Sequence, residues 1–402
     1  MTQVLEGLKV VDFSLVITGA IISRTLGDHG ATVIHIESNT HPDPLRISAP
    51  FKHGKTHVDR SGYYAIYNTS KYSLSLNLNH PNGPEVARRA IDWCDVVVEN
   101  LSPGVMEKWG LDYDSVKQIK PDIVYISSSN LGQTGPHAKY SSYGQSLVSM
   151  AGFTHLTGWP DKEPSQPYGA YTDIIAPRLG VAAVIAALDY HRRTGKGQYL
   201  DLSQLEVSLQ FLSVPFLDYF ANDREAVRMG NYSPLAVPHS AYRCLGEDRW
   251  CVIAVETEEE WQSFCHVINT PSWINDSRFT NIQSRKDNEA ELDRLIEEWT
   301  TQYWAEEIVV VLRKAGIAAG VVATSEDVFN DVQMQHRQHF QLLEHPELGQ
   351  FGYENHAYRL SCTPAHLGTS PCLGENTEYV LKEFLNFTEE EYVELLLAGV
   401  LE

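Results

Sequence analysis

Apolar positions in the first half of this chain come in short dense runs, divided by stretches of helical spacing. Residues 8–13 (Leu8-Lys-Val-Val-Asp-Phe13) read as a buried strand, residues 19–29 as a helix ending near Gly30, and Thr32-Val-Ile-His-Ile36 as the next strand. A helix follows Pro81, Asp95-Val-Val-Val98 is another strand, and Tyr113–Ile119 is a short helix stopped before Pro121. Ile123-Val-Tyr-Ile-Ser127 and Gln198-Tyr-Leu-Asp-Leu202 read as two further strands. Strand runs that do not alternate with polar residues are buried on both faces, and their alternation with helices predicts a parallel sheet.

The stretch from Gly132 to Tyr171 is rich in Gly, Pro, Ser and Tyr and has no clear period. Irregular segments of that length inside a domain usually serve function. Beyond it, Leu179 to Arg193 is apolar almost all round and predicts a buried helix. Its last turn carries His191, Arg192 and Arg193, with Gly195 as the stop, which suits the helix dipole and a left-handed cap. Ser203 and Glu206 have capping-box spacing for the next helix.

From about Asn222 the texture changes. Trp250-Cys-Val-Ile-Ala-Val255 is a strand, and the region to about residue 322 is helical, charged and Trp-bearing. A capped helix starts near Thr388, with Glu391 at the box position. The expected fold class is α/β: a large Rossmann-like domain with a parallel sheet over residues 1–222 and a smaller α+β domain over 223–324. A C-terminal segment, 325–402, returns to the large domain.

Composition narrows the options. With 402 residues the chain exceeds one compact core. At 43% hydrophobic and 21% charged residues it is ordinary for a soluble globular protein. A net charge of −21 disfavours general nucleic-acid binding, though a local basic pocket could still hold an anionic ligand. The first residues lack a basic stretch followed by an apolar one, so no signal peptide is expected, and no apolar run reads as long enough to span a bilayer. Six scattered cysteines without a Cys-x-x-Cys pair read as free thiols, and a cytoplasmic location is the expectation.

Several chemistries are poor fits. The turn after the first strand, Ser14-Leu-Val-Ile-Thr-Gly-Ala20, has one glycine where a dinucleotide fingerprint needs three. Glu37 stands where a ribose-binding acid would sit, and otherwise reads as a solvated strand end. His336 and His339 lack a third metal ligand at suitable spacing, so no metal site is expected. Neither a Gly-x-Ser-x-Gly elbow nor a Walker-type loop is present. What remains is Asp173, in Tyr168-Gly-Ala-Tyr-Thr-Asp173-Ile-Ile-Ala-Pro177, between an irregular loop and an apolar helix. A carboxylate there can cap the helix, which contributes about 1 kcal/mol, or act as a nucleophile.

Ordered short blocks tip the balance. They are Leu5–Phe13 with Leu26–Glu37, Asn68-Thr-Ser-Lys71 through Leu76, Val98-Glu-Asn100-Leu-Ser-Pro103-Gly104 through Leu111, and Gly132–Pro136. Asp173 with Thr194–Gln198 and Asp201–Glu206 follow, then Leu373-Gly-Glu-Asn-Thr377. In order and spacing they resemble the class III CoA-transferases, the group of formyl-CoA:oxalate and carnitine CoA-transferases. The resemblance implies that Asp173 is the nucleophile, carrying CoA as an aspartyl thioester between a donor acyl-CoA and an acceptor acid. Coenzyme A is then a substrate and carrier, with no tightly bound cofactor. Arg46, Lys71, Lys108 and Lys139 are candidate contacts for its phosphates, and Leu76 and Asn100 match further CoA-contacting positions. Val16, Ile17 and Thr18 lie in the loop that lines the acyl site in relatives. Relatives form interlocked dimers, so a homodimer is expected, and a heteromer with a homologous subunit is the alternative.

Departures refine the substrate. Leu15 and Ile17 replace the His and Gln of oxalate enzymes, Pro177 stands where many members have Gly, and Pro234-Leu-Ala-Val-Pro-His239 replaces a glycine run. A larger, partly apolar acid such as a benzylsuccinate-type dicarboxylate is expected. Three readings compete: an intramolecular transferase, a non-catalytic subunit, and a 2-methylacyl-CoA racemase. Relatives of the last carry Gly-His-Asp where this chain has Ser142-Tyr143-Gly144. A tyrosine, with its reference pKa of about 10, is a poor substitute for the histidine base.

Overall fold

Six strands, β1 (Lys9–Asp12), β2 (Thr32–Glu37), β3 (Tyr72–Ser75), β4 (Val96–Glu99), β5 (Val124–Ser129) and β6 (Gln198–Ser203), pair in parallel in the order β3-β2-β1-β4-β5-β6. The protein is described here by a computed structural model covering residues 3–402. This is the doubly wound order with its reversal between β1 and β4, where ligands bind beyond the carboxyl ends of the strands. Helices of the same unit include α1 (Thr18–Asp28), α2 (Gly62–Tyr67), α3 (Gly83–Trp93), α4 (Val105–Lys108), α5 (Tyr113–Ile119), α6 (Gly144–Met150), α7 (Tyr171–Thr194), α8 (Gln204–Gln210) and α9 (Ser213–Asn222).

Successive residues of each strand feed opposite cores. Val11, Ile34 and Val97 point to one face, where α3 lays Val86, Ala87, Ala90 and Ile91 against them. Val380, Leu381 and Leu401 join that core, in a segment, Gln333–Glu402, that belongs to the larger compact unit. Val10, Val33, Val96 and Val124 point to the other face, under Ile22 and Leu26 of α1 and Val184 and Ala187 of α7.

The chain divides into two compact units, the smaller made of Thr154–Ser165 and Ala226–Val332. Residues 154–165 belong there through local ties: the Gly230 N–H donates to the Gly158 carbonyl at 2.8 Å, and Trp159 lies against the Gly230 Cα. Within the smaller unit β7 (His239–Arg243), β8 (Trp250–Ala254) and β9 (Ala318–Val321) form an antiparallel sheet. Its core is built on Trp261, Phe264 and Phe279. A hairpin of β10 (Phe340–His345) and β11 (Gly349–Glu354) belongs to the larger unit.

Two expectations about α7 need correction. The helix starts at Tyr171, eight residues before Leu179, and runs through Pro177 at its seventh position. Pro177 costs the helix the hydrogen bond its N–H would have given the Asp173 carbonyl, and packing of the buried stripe carries the helix through that position. Nor is the helix buried all round: Thr172, Ala176, Pro177, Gly180, Val184 and Ala187 are buried, while Ile185 stays exposed. By length and composition alone its 24 residues could also cross a membrane, contrary to the expectation that no run is long enough. Its buried stripe instead meets α1, where a side chain at Gly180 would strike Ile22.

Candidate active site

Asp173 is not a cap. Ala170 occupies the N-cap position, Asp173 is the third residue of α7, and its side chain forms no cap hydrogen bond. Pro177 has no N–H to offer the Asp173 carbonyl four residues earlier. The carboxylate is largely buried, and burial alone pushes its pKa up to about 6. A helix N-terminus favours an ionised carboxylate, but desolvation outweighs it here, because no cation or side-chain donor pairs with the group among the described residues. The group remains mostly ionised at neutral pH.

Three elements close around this carboxylate. The Gly144 Cα, at the start of α6, is so near that a methyl group there would come within 2.4 Å of Asp173 Oδ2. The Thr172 hydroxyl donates to the Gly144 carbonyl at 3.4 Å. Tyr63 of α2 stands close enough for the Asp173 charge to help raise its phenol pKa, after the larger effect of burial. Ile174 packs in a cluster with Val16, Ile17, Ile21, Leu45 and Tyr64. The Val16–Ile17 loop predicted for acyl binding is therefore brought beside the Asp173 segment.

That loop leaves the carboxyl end of β1 at the sheet's reversal point. Asn100, at the end of β4, spans the gap: Leu15 N–H donates to its Oδ1 at 2.8 Å, and its Nδ2 donates to the Leu15 carbonyl at 2.7 Å. The amide matched to a CoA-contacting position thus spends one donor and one acceptor on the loop. Thr18 opens α1 and is buried, as is Ile17 at the N-cap position.

The predicted cations separate into two kinds. Arg46 is wholly buried: it grips Glu37 through two hydrogen bonds of 2.8 and 2.7 Å, reaches Asp59 Oδ1 at 2.8 Å, and lies 3.6 Å from the Tyr64 ring centre. Glu37 is correspondingly buried, not solvated, and the Arg46 guanidinium holds its carboxyl below the usual range against the effect of burial. Lys71 is buried too, with Nζ donating to Asp12 Oδ2 at 2.9 Å and Asn68 Oδ1 at 2.8 Å. Both charges are consumed by internal carboxylates, so neither presents a face to a phosphate; this corrects their expected role. Lys108, at the end of α4, and Lys139 are exposed, and neither forms an ion pair among the described residues. The Leu76 side chain lies in the core, where its main chain bridges Leu401, which leaves only backbone for a ligand.

Sequence reasoning missed Asp43 and Tyr63. Asp43-Pro44 has the look of a turn opener, and its side chain does accept from Leu45 N–H at 2.7 Å. Its second contact, to Val16 N–H at 3.0 Å, spans 27 residues and leaves no local pattern. Tyr63 could have been found only by knowing that α2 faces α7. Tyr143, 83% exposed, immediately precedes the Gly144 contact, so the segment where racemase relatives carry their base does lie at this site.

Comparison with known proteins gives the same direction over the whole chain. The model of CoA-transferase family III matches residues 5–377. Succinyl-CoA:glutarate CoA-transferase of Mus musculus is 30% identical over 99% of this chain and 90% of its own length. The beta subunit of succinyl-CoA–L-malate CoA-transferase from Chloroflexus aurantiacus is 28% identical over 98% and 97%. The crystal structure of a CAIB/BAIF family protein from Brucella suis superposes with a TM-score of 0.88 at 30% identity, covering 96% of this chain and all of that one. A family model matching residues 5–377 and a relative 30% identical over nearly the whole chain show that the chain belongs to the family III CoA-transferases.

Proposed function

We propose that this enzyme moves CoA from an acyl-CoA to a dicarboxylic acid through a thioester on Asp173. The Asp173 carboxylate attacks the donor thioester carbonyl, and the CoA thiolate leaves, giving a mixed anhydride. The thiolate then attacks the aspartyl carbonyl and expels the donor acid, which leaves aspartyl-CoA. The acceptor carboxylate repeats the two steps in reverse order, so atoms and charge balance without an energy source. Splitting the exchange in this way replaces one difficult step by easier ones. The observation that carries the reading is the desolvated Asp173 carboxylate, with a pKa pushed up to about 6 and, among the described residues, no cation or side-chain donor on it.

The acid proposed has an apolar middle between two carboxylates. The apolar Val16–Ile17 wall supports it, and the dicarboxylates named for the relatives are compatible with it. A benzylsuccinate-type acid remains within this class. Lys108 and Lys139 are the proposed phosphate contacts, with Asn100 and the main chain at Leu76 along the CoA path. Tyr143 in place of a histidine base disfavours the racemase. We further infer a cytoplasmic enzyme, from its six free cysteines, and an assembly with a second homologous chain. The exposed apolar residues of α9, among them Val214, Leu217 and Phe220, support that partner. Since one relative is named as a subunit, the partner can be identical or merely similar.

The test is a panel of acyl-CoA donors and free acids, followed by mass spectrometry of the CoA products. Succinyl-CoA with glutarate or benzylsuccinate should exchange faster than with oxalate. Racemisation of a 2-methylacyl-CoA without CoA exchange would overturn the reading.

A further inference from the structure

The loop after β1 is held by an unusual set of clamps. Three consecutive backbone N–H groups are taken by three side chains from different places: Ser14 by Asp12 Oδ1 at 2.8 Å, Leu15 by Asn100 Oδ1 at 2.8 Å, and Val16 by Asp43 Oδ2 at 3.0 Å. Between them, Val16 sits at φ +65°. That left-handed region is natural for glycine and an outlier for a β-branched residue, whose Cβ crowds the carbonyl oxygen. Such a conformation persists only where its surroundings over-determine it. Asp43 is wholly buried and divides its two oxygens between Leu45 N–H, which starts the Pro44–Ile47 turn, and Val16 N–H. The Val16 side chain is thereby kept in the cluster that contains Ile174, next to Asp173.

We propose that Asp43 is a positioning residue for acid selection: by binding Val16 N–H it holds Val16 in the left-handed conformation that forms the wall of the acyl pocket. This rests on the assignment of the acyl site to the Val16–Ile17 loop. The rival explanation is that Asp43 merely caps the short turn. The two contacts can be separated, because serine also caps well but its hydroxyl is too short to serve Leu45 and Val16 together.

The test compares wild type, Asp43→Ser, Val16→Gly and the double variant. In Asp43→Ser, KM for the acceptor acid should rise about tenfold, more than kcat falls, while the Kd for free CoA stays within about twofold. Amide hydrogen exchange across residues 14–18 should quicken by about tenfold or more, because the clamp on Val16 N–H is gone. Glycine tolerates φ +65° without a clamp, so the effect of Asp43→Ser on KM should shrink to about threefold or less in the Val16→Gly background. Equal effects of Asp43→Ser in both backgrounds would overturn the proposal, as would unchanged exchange at 14–18 with unchanged KM. Should the wild type move no CoA at all, the functional reading fails, and the exchange measurement still decides whether Asp43 holds the loop.

Discussion

Asp173 has to be both ionised and poorly solvated, and its surroundings set the compromise. A carboxylate paired with arginine would be ionised but weakly nucleophilic; one in an apolar pocket would be protonated. Burial without a partner, with the pKa pushed to about 6, lies between. Provided that Asp173 acts in its ionised form, kcat/KM should rise with pH through an apparent pKa near 6 and level off above 7. The same shift bears on stability. The folded protein holds this proton up to about pH 6, whereas the unfolded chain releases it near 3.8. Stability therefore falls as pH rises through that window. Replacing Asp173 by Asn should remove the buried charge and stabilise the protein by about 1–3 kcal/mol at pH 8, with the gap closing near pH 4. Chemical denaturation of both proteins at the two pH values measures this.

At the scale of elements, α7 shows where sequence pattern succeeds and fails. Its C-terminus was legible because charge, Gly195 and dipole agree; Gly195 is left-handed at φ +69° and its N–H donates to the His191 carbonyl at 2.7 Å. Its start was not, because Pro177 carries a local signal to stop that tertiary packing overrides. The strands β1, β2, β4 and β5 were legible because burial on both faces leaves a dense apolar run, whereas β3, Tyr-Ser-Leu-Ser, has no such run and was not read as a strand. Asp173 was found, but its surroundings were not: Gly144 and Tyr63 come from separate elements and meet it only in the folded chain, and Asp43 reaches the neighbouring Val16 loop from a third. Gly144 offers a direct check on that geometry. A Gly144→Ala variant would put a methyl group 2.4 Å from both Asp173 Oδ2 and the Ala170 Cβ, so the start of α7 with its carboxylate must shift. Misplacement of a reacting group by about 1 Å can lower the rate about 10²-fold; kcat should drop to that extent while CoA affinity changes little. Steady-state kinetics with a parallel CoA titration would measure both.

At the scale of the whole molecule, the folded chain changes what its basic residues can do. The acidic chain does contain basic side chains in the matching blocks, but Arg46 and Lys71 neutralise Glu37 and Asp12 beneath the site. From sequence, an internal ion pair and a phosphate contact look alike. The apolar faces of α7 and α9 were equally ambiguous, since only the folded chain reveals which are left uncovered. α9 has no buried residue at all, with Leu217 65% and Phe220 81% exposed. Exposed apolar patches of this kind mark association. The wild type should run as a dimer, or as a complex with a homologous chain, and Leu217→Asp with Phe220→Asp should release monomers in light scattering. A monodisperse wild-type monomer would contradict this.

The covalent intermediate itself is the most direct measurement. The enzyme is mixed with a competent acyl-CoA in the absence of acceptor, treated with hydroxylamine or borohydride, digested, and analysed by mass spectrometry. The account predicts a single hydroxamate or reduced residue at Asp173, dependent on the acyl-CoA and absent from the Asp173→Asn variant. Modification at another acid, or none during active transfer, would contradict it.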